Sequence, residues 1–529
     1  MAESRFAFFR RLLATPIVAA CSLAVAQVTL TGPDTYFPGQ RPDGIAAGDF
    51  NGDGLLDWAV ASDNQDKVSV RLNAGGGAFP AQADYLTGAG TGPGALAAGD
   101  VDGDGDVDLV VVLKGINSVR ILRNTGGGVF TQGPSAGVGL RPTDLALADF
   151  DRDGDLDIVT ANRDGNSVTI VTNQGATIAA TQTVPVALEP RQVDAANLNG
   201  DGYPDLAVTN HDSRSISVLL STLGTFGPRT DYSVGASVRP TGIAAGDLDG
   251  DSDMDLAVTT SDNNINFLAI FRNGGNGAFV GPTNFLSGGL NSDSVVLTDL
   301  TGDRRLDAAI SNEDSNNISV LVNAGNASFG PFQLFGSGIR PGFLAAGDFS
   351  DDLSPDLAVS NRDSNSVTVF INSTYSPMVS PSAFMVQPGV HVSGGLASFV
   401  NIDGNRFVAK RNIAADEAGY TITVDLDGTS PTANPSALGF VLRASVNAPS
   451  LTLHIELFDW VAARWIAVDE RSAPMSDQTI TAMAPGPVNR FVRPGTMAVR
   501  ARIGWSDEAY DSDFAFSSMI DRAVWAIYR

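Results

Sequence analysis

Cysteine is almost missing from this 529-residue chain: Cys21 stands alone, inside an apolar stretch near the N-terminus, so no disulfide framework can hold the fold. Histidine is nearly as scarce, with His211, His391 and His454, and none of them lies in a zinc, nucleophile-elbow or phosphate-loop motif. Basic residues are the minority, 33 against 59 acidic, for a net charge of −26. A nucleic-acid partner needs a clustered basic face, and that balance excludes one. Long stretches at helical period are also absent. What is present is glycine, 57 residues of it, between short apolar runs in a chain that is 43% hydrophobic. That is the composition of an all-β protein of two or more domains, with many strands and tight turns.

Residues 1–26 read as a secretory signal peptide. "MAESRFAFFRR" is a basic start, "LLATPIVAACSLAVA" an apolar stretch short for a membrane span, and Ala24-Val25-Ala26 a small-x-small cleavage site before Gln27. Val18-Ala19-Ala20-Cys21 offers lipoprotein anchoring at Cys21 as the alternative. The expected location is secreted or at the cell surface, with the periplasm as the other compartment, and no transmembrane span in the mature chain.

One nine-residue pattern occurs seven times. "DFNGDGLLD" starts at Asp49, and "DVDGDGDVD", "DFDRDGDLD", "NLNGDGYPD", "DLDGDSDMD", "DLTGDRRLD" and "DFSDDLSPD" follow from Asp100, Asp149, Asn197, Asp247, Asp299 and Asp348. Starts recur every 48 to 52 residues, the length of one four-stranded propeller blade and far too long for a β-solenoid coil. Around the first loop, "DGIAAGDF" and "LDWAVAS" read as two strands, "VSVRLN" as a third and "PAQADYLTG" as an outer one. The seventh unit stops after three strands near Asn372. Its missing outer strand has a counterpart in "QVTLTGPDTYFPGQRP" at residue 27, so the two ends are expected to close one blade together.

Seven in-phase copies of D-x-[DN]-x-D-G-x-x-D, with Gly-Phe turns such as "GGGAF" and "SFGPF", resemble the FG-GAP or VCBS-type repeats that also build the propeller of integrin α subunits. The resemblance covers residues 27–373. It implies a calcium ion in the hairpin loop of each blade and an adhesive or ligand-binding role.

The residues make a physical case of their own. Calcium takes six to eight oxygens, and alternate residues of a curled loop turn inward. The side-chain donors are Asp49, Asn51, Asp53 and Asp57; Asp100, Asp102, Asp104 and Asp108; Asp149, Asp151, Asp153 and Asp157; Asn197, Asn199, Asp201 and Asp205; and Asp247, Asp249, Asp251 and Asp255. Leu55, Asp106, Asp155, Tyr203 and Asp253 would each add a main-chain carbonyl. An EF-hand is excluded because position 12 of the first loop is Val60, within a strand. Five calcium sites are expected, and up to seven: Asp299, Asp303 and Asp307 keep company with Thr301, Arg304 and Arg305, while Asp348, Asp352 and Asp356 keep company with Ser350 and Leu353. The rival is a set of metal-free Asp-Gly turns.

The second turns and inter-blade links belong on the opposite face of the disc. They bring Arg141, Arg163, Arg191, His211, Arg239 and Arg362 as candidate ligand-binding residues for an anion or sugar, or as struts paired with neighbouring aspartates. Residues 374–388 form a Pro/Ser-rich linker. Residues 389–529 alternate apolar and polar positions as a jelly-roll-like β-sandwich would, with Trp460, Trp465 and Trp505 as core or sugar-stacking residues. The functional expectation is a non-enzymatic, monomeric, calcium-binding adhesion or ligand-binding protein for an extracellular glycan or protein. The alternative is a calcium-dependent polysaccharide lyase or glycoside hydrolase.

Overall fold

In the computed structural model, residues 27–175, 177–261, 265–352 and 354–374 are described, together with separate strands from Met378–Val379 to Ser517–Tyr528. Seven four-stranded antiparallel sheets follow one another around a ring. Blade 1 takes Pro42–Gly48, Asp57–Ser62, Lys67–Leu72 and Ala81–Leu86 in that order, and blades 2 to 6 repeat it. Blade 7 closes as expected: Leu30–Tyr36 pairs with Ser366–Asn372, with Tyr36 opposite Val367. Among the described residues there is no α-helix, and no helix long and apolar enough to cross a membrane.

Each strand's composition follows from its distance to the axis. Innermost strands converge, so they are built of alanine and glycine; a Cβ on Gly44 would stand 2.5 Å from the Cα of Ala95 in the next blade. Second strands such as DWAVAS and DLVVVL are buried at all six positions and rich in valine, as a strand covered on both faces requires. Fourth strands face water and read AQADYL, mostly exposed. The core is a chain of interfaces between successive blades. Where the ring closes, Trp58 and Phe79 of blade 1 pack with Phe349 and Val369 of blade 7, and Tyr36 meets Trp58 edge-on at 5.8 Å.

Residues 1–26, expected to be a signal peptide and containing Cys21, lie outside the described residues, as does Leu353. Beyond residue 374 the strands pair antiparallel, for example Ala437–Val446 with Ser517–Tyr528. The face-to-face packing that a sandwich requires, and the side chains of Trp460, Trp465 and Trp505, fall outside what is described.

Candidate functional site

The seven acidic loops join the first and second strands of their blades and sit beside the Gly-rich third turns. A Cβ on Gly126 would lie 3.6 Å from the Asp106 carboxylate, so loops and third turns share one face, as the strand order requires. Successive side chains accept hydrogen bonds from main-chain N–H two or more residues on, which curls the loop. Asp100 accepts from Gly103 and Gly105, and Asp104 from Asp106 at 2.9 Å.

The ninth-position aspartates hold the blades as well as facing the loop. Asp57, Asp108, Asp157, Asp205, Asp255, Asp307 and Asp356 are buried. Each accepts one N–H from early in its loop and one from the end of the third strand, 16 to 18 residues on. Phe150 N and Asn173 N reach the two oxygens of Asp157 at 3.0 and 2.8 Å. The same pair of bonds recurs at Asp57, Asp108, Asp205, Asp255, Asp307 and Asp356. Burial pushes Asp57, Asp307 and Asp356 up to about 7, Asp108, Asp157 and Asp255 up to about 6, and Asp205 upward as well. Each carboxylate oxygen has a second lone pair, so these bonds leave room for a cation.

The asparagine that ends the third strand was not singled out from sequence, although it recurs in six blades. Its main-chain N–H goes to the ninth-position aspartate, and its amide donates to a carbonyl in the preceding blade's loop. Asn73 reaches Phe349 O, Asn124 Phe50 O, Asn173 Val101 O, Asn273 Leu198 O, Asn323 Leu248 O and Asn372 Leu300 O, at 2.5 to 3.0 Å. Blade 4 has Ser221 there, whose hydroxyl donates within its own blade, to Pro204 O.

Do these loops suit a metal? Carboxylates from three positions come within 4.8 Å of one another at Asp100, Asp102 and Asp108, at Asp149, Asp151 and Asp157, and at Asp247, Asp249 and Asp251. Burial and, next, like-charged neighbours raise Asp102 and Asp249; burial also raises Asp151. Five loops keep a buried oxygen with no hydrogen-bond donor at position 1 or 3: Asp102 Oδ1, Asp149 Oδ1, Asn197 Oδ1, Asp249 Oδ1 and Ser350 Oγ. Buried oxygens converging without donors fit a hard, oxygen-seeking cation. In the first loop the Asn51 amide donates to Asp53 Oδ2, and Asn199 does the same to Asp201 in the fourth. In the sixth loop Arg305 pairs with Asp303 and bonds to Asn323 O, so a guanidinium supplies the positive charge from within the chain. Leu55 and Tyr203 donate their N–H to Asp53 and Asp201, as the curled loop demands.

On the opposite face a cavity of about 390 Å³ opens at the central axis. Arg41, Lys114, Arg141, Arg163, Arg191, Arg340 and Arg362 line it against Asp43, Asp63, Asp293 and Glu313, seven basic residues to four acidic. The structure thus brings four of the six sequence-predicted residues together. His211 and Arg239 line a neighbouring cleft with Arg214 instead.

Several of these cations are struts. Arg362 lies 2.8 Å from Asp43 of blade 1 and 3.2 Å from both Asp293 and Glu313 of blade 6, so one guanidinium joins three blades. Burial alone would lower its pKa, and the three carboxylates hold it well above the usual value. Lys114 and Arg362 outweigh burial at Asp43 and keep its carboxyl well below the carboxylate range. Glu189 gathers Arg163 at 2.5 Å, Arg191 at 2.9 Å and His211 at 3.3 Å. Burial and then Arg191 push His211 downward. Arg141 is different: its contact with Asp164 is 3.8 Å and both side chains are about half exposed. In the innermost strands Pro142–Ala148 and Pro190–Ala196, burial lifts Asp144 to about 7 and raises Asp194.

Fold and loops together define a seven-bladed propeller of acidic-hairpin repeats. The sequence matches the FG-GAP-like repeat over residues 49–111, 102–160, 149–208 and 197–258, so the propeller carries FG-GAP-like repeats. No curated protein matches it. One solved structure that resembles it is described as "Crystal structure of BBS1N in complex with ARL6DN, soaked with lead", at 12% identity, 65% coverage of this chain, 96% of that one and a TM-score of 0.46.

Proposed function

We propose that this protein is an exported, non-enzymatic binding protein, with calcium in its hairpin loops stabilising the disc and the opposite face receiving an anionic extracellular partner. The observation that carries the reading is the axial cavity, where basic residues outnumber acidic ones on a protein of net charge −26. Guanidinium forks suit carboxylate and sulfate groups, and a basic mouth on an acidic body steers such groups to one place. Calcium is assigned a structural part because its donors are used up within short loops on the other face. Asp100, Asp102 and Asp108, Asp149, Asp151 and Asp157, and Asp247, Asp249 and Asp251 would hold it, with Asn197 and the first loop completing five sites.

Arrays of uronate and sulfated oligosaccharides and of acidic peptides, probed with and without calcium, test the reading. Arg41→Ala with Arg141→Ala should weaken anion binding about tenfold, a loss of one good charge-assisted contact, and leave melting unchanged. Unaltered binding in that variant refutes the mouth as the site. Cleavage of any oligosaccharide on the array refutes the non-enzymatic part.

A further inference from the structure

Exposed aliphatic side chains recur at one repeat position in the inter-blade links, directly before Arg141 and Arg340 of the basic mouth. Leu140, Leu188, Leu290 and Ile339 occupy the link before blades 3, 4, 6 and 7 and are 59%, 57%, 42% and 53% exposed. A single exposed leucine means nothing. These four share a rigid mounting. Leu140, Leu290 and Ile339 accept main-chain N–H from Asp164, Asp314 and Asp363 in the second turns of their own blades. Ser213, Ser315 and Ser364 accept the N–H of Leu188, Leu290 and Ile339 at 2.7 to 2.9 Å. The next residue is left-handed each time: Arg141 (φ 51), Glu189 (φ 57), Asn291 (φ 55) and Arg340 (φ 56). Backbones fixed in this way hold the aliphatic groups out in water. At Leu290 the rim runs into a shallow apolar hollow of about 320 Å³ with Ile265, Leu286 and Phe332. Within the rim stands Arg41, exposed, with no acidic ion-pair partner among the described residues.

We infer that the occupant of this face is a protein segment that places a carboxylate side chain in the mouth and leucine-like side chains on the rim. The inference rests on the anion-receiving reading above and narrows it. A charged polysaccharide gains little from rigidly displayed aliphatic groups, and the rim position in the seven links, from Gln40 and Thr91 to Val238, carries no aromatic ring, those nearby being Phe332 in the apolar hollow and Phe343 in the mouth. An acidic loop flanked by apolar residues uses both features, burying the rim while Arg41 meets its carboxylate.

The test is selection of a random twelve-residue peptide library, displayed on phage, against the full chain in calcium. Enriched peptides should carry Asp or Glu within a few residues of Leu, Ile or Phe. Synthetic versions should bind at least tenfold more weakly to Leu188→Ser with Ile339→Ser, and also to Arg41→Ala, at unchanged melting temperatures. Loss with Arg41→Ala but not with the rim variant leaves the anion reading standing and overturns the protein-segment inference. The same follows if oligogalacturonate binds as tightly as the peptides in both wild type and rim variant. No enrichment overturns the protein-segment inference alone, and binding indifferent to Arg41 overturns both.

Discussion

Asp157 and Asp104 belong to loops of the same pattern and should fail in different ways. Removing the Asp157 side chain leaves the N–H groups of Phe150 and Asn173 buried without acceptors, at a cost of about 1–3 kcal/mol each. Asp157→Ala should therefore lower the melting temperature in chelator as well as in calcium. Asp104 is exposed and its carboxylate accepts the Asp106 N–H at the loop surface, so Asp104→Ala should leave the chelated protein nearly unchanged and reduce only the gain on adding calcium. Thermal melts of both variants with and without EDTA check this; equal behaviour would remove the distinction. Spacing alone identified both aspartates as oxygen donors. It did not separate them, because an inward-facing ninth position serves a cation and a main-chain N–H equally well. The interblade asparagines had a visible signal, a fixed place after the third strand, but asparagine there also reads as an ordinary turn residue.

At the scale of elements, the period of 48 to 52 residues made the blade count and the shared seventh blade legible, since a regular repeat leaves few ways to arrange its strands. Burial of the arginines was not legible. Arg362 meets Asp43 only because blades 7 and 1 become neighbours on closure, across more than 300 residues. The consequence is that Arg362→Ala strands Asp293 and leaves Asp43 to Lys114 and Glu313 to Arg340, and should destabilise the ring, whereas Arg141→Ala should not; urea midpoints of the two would show it. Closure itself can be tested. A chain starting near Gly44 lacks Leu30–Tyr36 and exposes the edge of Ser366–Asn372, along with the face of Trp58 that Tyr36 covers. It should aggregate or dimerise on size exclusion, and a monomer of undiminished stability would contradict the pairing.

For the whole molecule, the buried part of the acidic excess sets how stability responds to pH. The seven ninth-position aspartates are pushed above their ordinary 3.8, six of them to about 6 or 7, and burial also raises Asp144, Asp194 and Asp293 in the innermost strands and Asp102, Asp151 and Asp249 in the loops. Between about pH 4 and pH 7 the folded protein then binds more protons than the unfolded chain, so without metal its stability falls as pH rises through that window. Two kinds of group act otherwise. Asp43, Asp66, Asp84 and Asp212 sit below 3.8, so their contribution is already complete at about pH 5. His211, pushed downward, adds stability as pH rises toward 6.5, one group against thirteen. A cation in the loops favours the ionised carboxylates and removes the cost of charging them. In EDTA the protein should melt several degrees lower at about pH 8 than at about pH 5.5, while saturating calcium should abolish or invert the difference. Calorimetry at the two pH values, with and without calcium, reads the result directly. A melting temperature that climbs with pH in EDTA would show that the buried aspartates are ionised without metal, and no gain on adding calcium at either pH would show that the loops are hydrogen-bonded turns and nothing more.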